Sequence, residues 1–203
     1  MAARLEERGL LREGDDAALV LLCVPDAAIR DVARRIAPGP WMAHVSGATP
    51  LAALDPHVRR FTMHPLQTFT RRRGAEQLDG AWAAVTADSD DGLARARWLA
   101  STLGLRSFDL ADDRRAIYHC GAAMASNFLV TLYRAASRAV VAAGAPPEAL
   151  VPLMQRTIEN GFDLTGPIAR GDWATVDAHL AALAAELPDL VPVYRALAEA
   201  TRP

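Results

Sequence analysis

Four polar side chains stand inside an otherwise apolar stretch, 116–132: Tyr118, His119, Ser126 and Asn127. Histidine supplies a proton near neutral pH, and asparagine both donates to and accepts from a carbonyl or hydroxyl. On a continuous helix His119 and Ser126 share a face, with Asn127 flanking it. Acid–base work on a carbonyl or hydroxyl is the chemistry such a set would do; the plainer reading is a hydrogen-bonded core histidine. A second group comes from three places where apolar runs end: Pro25-Asp26, Ser46-Gly47, and His64-Pro65 with Gln67 close behind. Asp26 either caps the next helix or contacts a ligand. Ser46-Gly47 is a tight turn or a hydroxyl-and-backbone contact. His64, held extended by the proline after it, is a turn residue or a site residue. The third group is the glycine-rich loop Asn160–Asp172, where Arg170 pairs with an acid or binds an anion and Asp172 reads as a helix N-cap; the plainer reading is a purely structural loop.

These residues need elements to place them. Ala18–Val24 is apolar on both faces, as in a central parallel strand. Residues 4–13 suit a short helix or loop, and a helix follows over 27–37. Further strands are expected at Trp41–Val45, Arg60–Met63, Trp82–Thr86 and Ser107–Leu110. A short helix falls near 50–55, a looped stretch over 66–80, and a helix over 90–103 that stops at Gly104. Strands alternating with helices indicate a βαβ sheet, and ligands bind outside the carboxyl ends of such strands. Beyond residue 111 the pattern is helix alone: one long helix over 113–143, then helices over 147–160, 172–186 and 189–200. The expected class is therefore α/β: a partial Rossmann-type parallel sheet over 1–111, followed by an all-α domain over 112–203.

Composition removes several functions. The net charge is −2 and 51% of residues are hydrophobic, which suits a packed fold and not a nucleic-acid binder. The one basic cluster, Arg71-Arg72-Arg73, is either a solvated turn or a contact for a phosphate or other anion. All 22 basic residues are arginine. With no lysine there is no Walker-A lysine, no Schiff base and no lysine acid. Cys23 and Cys120 lie in apolar segments far apart and read as buried thiols in a reducing cytoplasm. The five histidines lack metal-site spacing, no serine sits in G-x-S-x-G, and no apolar run reaches the roughly 20 residues of a membrane span.

Five segments, in order, carry a family likeness: Val24–Ile29, His44–Gly47, His64–Phe69, Tyr118-His119 with Ser126-Asn127, and Leu164–Pro167 through Arg170-Gly171-Asp172. Together they resemble Rossmann-like bacterial proteins with a C-terminal domain of unknown function 2520, over about residues 15–198. The resemblance implies a fold similar to pyrroline-5-carboxylate reductase, ketopantoate reductase and the β-hydroxyacid dehydrogenases. It also implies NADP or NAD as cofactor, oxidoreduction of a small carbonyl or hydroxy acid, and a homodimer formed through the helical domain. His119, Tyr118 and Asn127 are the expected catalytic groups. Ser126, His64, Gln67, Thr165 and Arg170 are the expected substrate contacts, and Pro25, Asp26, Ser46 and Gly47 the expected cofactor contacts, with no metal.

Two departures stand against that pattern. Such proteins open with a strand, a G-x-G-x-x-G turn and a helix, which hold the pyrophosphate, and this motif is absent from the sequence. That unit is expected ahead of Met1, so either the start lies earlier or the chain is a shortened relative without redox activity. The β-hydroxyacid dehydrogenases also carry a lysine one turn before the asparagine, where this chain has Ala123. The rival expectation is a non-catalytic dimerisation or ligand-binding remnant.

Overall fold

The computed structural model describes residues 1–11 and 17–202. A short helix, α1 (Ala2–Glu7), opens the chain; the part of the expected 4–13 element beyond residue 11 lies outside the described residues. Five strands follow: β1 (Leu19–Leu22), β2 (Trp41–His44), β3 (Arg60–Leu66), β4 (Trp82–Thr86) and β5 (Arg106–Asp109). They form one sheet in the order β1-β2-β3-β4-β5. Helix α2 (Ile29–Arg35) links β1 to β2, and α3 (Asp90–Thr102) links β4 to β5. Ser89 caps α3 by accepting from the Gly92 N–H, and Gly104, at φ +85°, ends it.

The sheet is α/β and mostly parallel, but one pair departs from the expected βαβ alternation. β3 and β4 run antiparallel. Their connection contains no α-helix, because Gln77 folds it on itself. The Gln77 side-chain oxygen accepts from the Thr70 N–H at 2.8 Å, and its amide donates to the carbonyls of Thr70, Arg73 and Gly74. A loop closed in this way returns the chain without the crossover a parallel pair needs.

Period-two alternation places the core on both faces. Trp41, Ala43, Phe61 and Met63 pack with Ala96, Leu99 and Leu103 of α3, residues spaced to fall on one helical face. Leu22 and Met42 pack on the other face with Ile29 and Ala33 of α2 and with the 3₁₀ turn Leu51–Leu54.

The expected single helix over 113–143 is divided. α4 (Arg115–Ala123) and α5 (Leu129–Ala142) are joined by a π-helical turn, Met124–Phe128. The chain forms two compact units, Met1–Ser126 and Asn127–Pro203. Although strands give way to helices near residue 111, α4 belongs to the first unit. The second unit holds α5, α6 (Leu150–Glu159), α7 (Trp173–Glu186) and α8 (Val191–Ala200). Asp172 caps α7 as expected, accepting from the Thr175 N–H at 3.1 Å. Arg138 of α5 makes a two-bond ion pair with Asp189, in the 3₁₀ turn Pro188–Leu190 that precedes α8. Among the described residues, no helix is long and apolar enough to cross a membrane.

Both cysteines are exposed, against expectation. Cys23 lies just past the last residue of β1, where the chain leaves the sheet, and Cys120 is on an outward position of α4.

Candidate active site

The register of β2 and β3 creates the site. Their pairing ends at His44↔Thr62, while β3 continues to Leu66 against β4 alone. His64 therefore lies within the strand rather than past its end, beyond the last residue of β2. It shares a face with Thr62, since side chains alternate. The first turns of α4 pack on that face. Arg115, 3% exposed, is the fastener. Its guanidinium donates to Asp112 Oδ1 at 2.6 Å, to the Ser46 carbonyl at 3.3 Å and to the Thr62 hydroxyl. Asp112 in turn accepts from the Leu51 N–H at 3.0 Å. A buried guanidinium so satisfied holds α4 to the ends of β2 and β3 in one geometry.

Thus anchored, α4 brings two rings to His64. The Tyr118 hydroxyl is 2.7 Å from His64 Nδ1. The His64 and His119 ring centroids are 6.1 Å apart. Gly47 makes the approach possible: a Cβ there would lie 2.8 Å from His64 Cε1 and Nε2 and 2.9 Å from His119 Cδ2. Phe108 stacks edge-on against Tyr118 at 5.9 Å and backs the cluster. Burial pushes the His64 imidazole down to about 4, helped by His119 and Arg115 nearby and opposed by Asp26. Burial lifts the Tyr118 phenol to about 12, against the pull of Arg115. Both groups are therefore neutral at pH 7. His119 is exposed and open to water.

Of the residues expected to touch a cofactor, Asp26 and Ser46 bind each other. Asp26 does not cap α2: the turn there has no side-chain cap, and Asp26 accepts the Ser46 hydroxyl proton at 2.7 Å. The Ser46 oxygen also accepts from the Ala48 and Thr49 N–H groups and lies 2.9 Å from the Thr49 hydroxyl. Ser46 and Asp26 thus bind one another in a closed turn, and the imidazoles cover Gly47. Pro25 is exposed ahead of the 3₁₀ turn Asp26–Ala28. A pyrophosphate needs convergent free N–H groups, and a carboxylate such as Asp26 repels it. Asp26, bonded to Ser46, does not suit that part of a dinucleotide.

The remaining expected residues are more dispersed. Gln67 is exposed, with its side-chain oxygen on the Thr68 N–H. Ser126 donates to the Ala122 carbonyl at 2.7 Å within the π-helical turn, which interrupts the regular spacing that would align it with His119. Asn127, Thr165 and Arg170 belong to the second unit. There Arg170 donates to the Thr165 carbonyl at 3.5 Å, and all three are exposed. Asn160-Gly161-Phe162 turns the chain, with Gly161 at φ +71° and Phe162 at φ +65°.

Sequence reasoning missed Arg115, Asp112, Thr49 and Thr62. The three-residue spacing of Asp112 and Arg115 at a helix start was a readable signal for their pair. Nothing local marks the contact of Arg115 with Ser46 and Thr62, 69 and 53 residues away.

A mostly parallel sheet with a polar cluster beyond the carboxyl end of β2, followed by a helical unit, defines a Rossmann-type α/β protein. The chain belongs to the family described as domain of unknown function 2520, whose model matches residues 81–201. Among solved structures it is similar to a protein of Bacteroides fragilis assigned as an NADP oxidoreductase. Identity is 26% over 91% of this chain and 74% of that one, with a TM-score of 0.75. A protein of Thermotoga maritima is similar at 25% identity, over 98% and 87% of the two chains, with a TM-score of 0.72. In fold alone, 1-pyrroline-5-carboxylate reductase from Streptococcus pyogenes matches with a TM-score of 0.61 at 17% identity, over 98% and 82%. No curated protein matches the sequence.

Proposed function

We propose that this chain is a cytoplasmic NAD(P)-dependent oxidoreductase acting on a small carbonyl or hydroxy acid, with its proton handled by the imidazoles over Gly47. The convergence of His64 and His119 on that glycine, with Tyr118 bonded to His64, carries the reading. The likeness to the Bacteroides fragilis protein supports the redox class. NAD(P) would supply or accept the hydride. The chemistry assigned to this chain's own residues is confined to the proton and the substrate oxygen. His119, exposed and in exchange with water, is the proton donor. His64, neutral and half-buried, contacts the substrate oxygen, and Ser126, in the turn that follows α4, is a further substrate contact.

The second unit is proposed to join two copies. Phe128, Leu153 and Phe162 are 60%, 62% and 71% exposed, and apolar groups so displayed mark an interaction surface. The closed Ser46–Asp26 turn favours a second reading, a ligand-binding or dimerisation protein without redox activity.

The test is NADPH and NADH consumption with a panel of small 2-oxo acids and aldehydes, comparing the natural protein with His119→Ala. Loss of turnover by about 100-fold or more is expected, with an unchanged circular dichroism spectrum. Unchanged turnover removes His119 from the mechanism. If NADPH fluorescence does not change on mixing, the non-redox reading takes its place.

A further inference from the structure

The bond between Tyr118 and His64 decides which imidazole nitrogen carries the proton. Tyr118 keeps its own proton across the working pH range. A phenol is a better donor than acceptor, and the bare nitrogen of a neutral imidazole is a good acceptor. Tyr118 therefore donates to Nδ1 at 2.7 Å, and the ring's single proton is left on Nε2. Among the described residues the His64 ring makes one side-chain hydrogen bond, at Nδ1, and Nε2 is left for another partner. It sits 2.8 Å from the point where a Gly47 side chain would begin.

We propose that His64 is an Nε2–H donor that binds an acceptor oxygen of a small carbonyl compound beside Gly47. Tyr118 is the positioning residue that holds the tautomer, and Gly47 the residue that lets the two imidazoles approach the turn. The identity of that oxygen rests on the function proposed above; the tautomer does not. The groups facing the ring are Tyr118, His119 and Arg115 from α4 and Asp26 from the turn after β1. Burial and the Arg115 cation resist a second proton, and Asp26 alone opposes them. A neutral imidazole of this kind polarises a carbonyl without giving up its proton, which leaves proton delivery to the exposed His119. The Tyr118 bond also favours the uncharged ring, since Nδ1 can accept only while bare.

The experiment uses the full chain with ¹⁵N-labelled histidine and follows the imidazole nitrogens by ¹H–¹⁵N correlation from pH 5 to 8. His64 is expected as the Nε2–H tautomer, unmoved across that range. Tyr118→Phe, with the fold intact by circular dichroism, is expected to give mixed tautomers and protonation at higher pH. A wild-type ring with its proton on Nδ1, or doubly protonated at pH 7, overturns the proposal. So does a Tyr118→Phe ring identical to wild type. Gly47→Ala is expected to move the His64 and His119 signals together; if neither moves, Gly47 does not shape the cluster. Pyruvate serves as the carbonyl probe and is expected to shift the Nε2–H signal. A confirmed tautomer that pyruvate and a panel of small aldehydes leave unmoved overturns the substrate-oxygen assignment while the tautomer stands.

Discussion

The two units of this chain bury their apolar side chains very differently. In Met1–Ser126 both sheet faces are covered, and Phe61, Met42, Leu54, Met63, Leu99 and Leu103 are sealed from solvent. In Asn127–Pro203, Val176 is the only buried hydrophobic among the described residues. α6 and α8 are amphipathic, yet Leu153, Ile158, Val193 and Leu197 remain exposed. Burying such side chains is worth about 1.5–3 kcal/mol each. The first unit therefore carries its own stability and a rigid floor for its polar cluster. The second unit has the sequence of packed helices without the packing, which is what the proposed second copy would supply.

The comparison is broken most severely at the core. Phe61→Ala is expected to cost about 3–5 kcal/mol, whereas Phe162→Ala should change monomer stability by less than about 0.5 kcal/mol. Urea unfolding measures both, and a large loss at Phe162 would mean that the second unit has its own core.

Acid sharpens the contrast next. Burial holds His44 and His64 down at about 4 from an ordinary value of 6.5. Between pH 6.5 and 4 the unfolded chain therefore binds more protons than the folded one. Stability present at pH 7 is lost as pH falls through that window, on the order of 2–3 kcal/mol per ring. Urea midpoints measured from pH 7 to 4 should fall, and His44→Gln with His64→Gln should flatten the profile.

Arg115→Met is expected to cost about 2–3 kcal/mol, because Asp112, Thr62 and the Ser46 carbonyl each lose a donor. The His64–Tyr118 bond should loosen with it, visible as a change in the His64 imidazole signals.

Much of the first unit was legible in the sequence. Apolar runs bounded by Pro, Gly and Asp located all five strands, and Gly104 marked the end of α3. Strand ends named Ser46, Gly47 and His64 as neighbours, and the structure brings Gly47 and His64 together. The antiparallel β3–β4 pair was not legible, since it depends on the Gln77 side chain closing a loop. Nor was the Ser46–Asp26 bond: a single aspartate before a helix reads as a cap whether or not a serine from the next strand reaches it. The π-helical turn has no residue signature of its own. In the second unit the amphipathic faces could be read, but a sequence does not say what covers them.

Hydrogen exchange resolved along the full chain, at protein concentrations from high to very low, tests the difference between the units most directly. β2, β3 and β4 should stay protected at every concentration, while α5 to α8 should lose protection on dilution as the mass falls from dimer to monomer. Helices that stay equally protected in a proven monomer would contradict it.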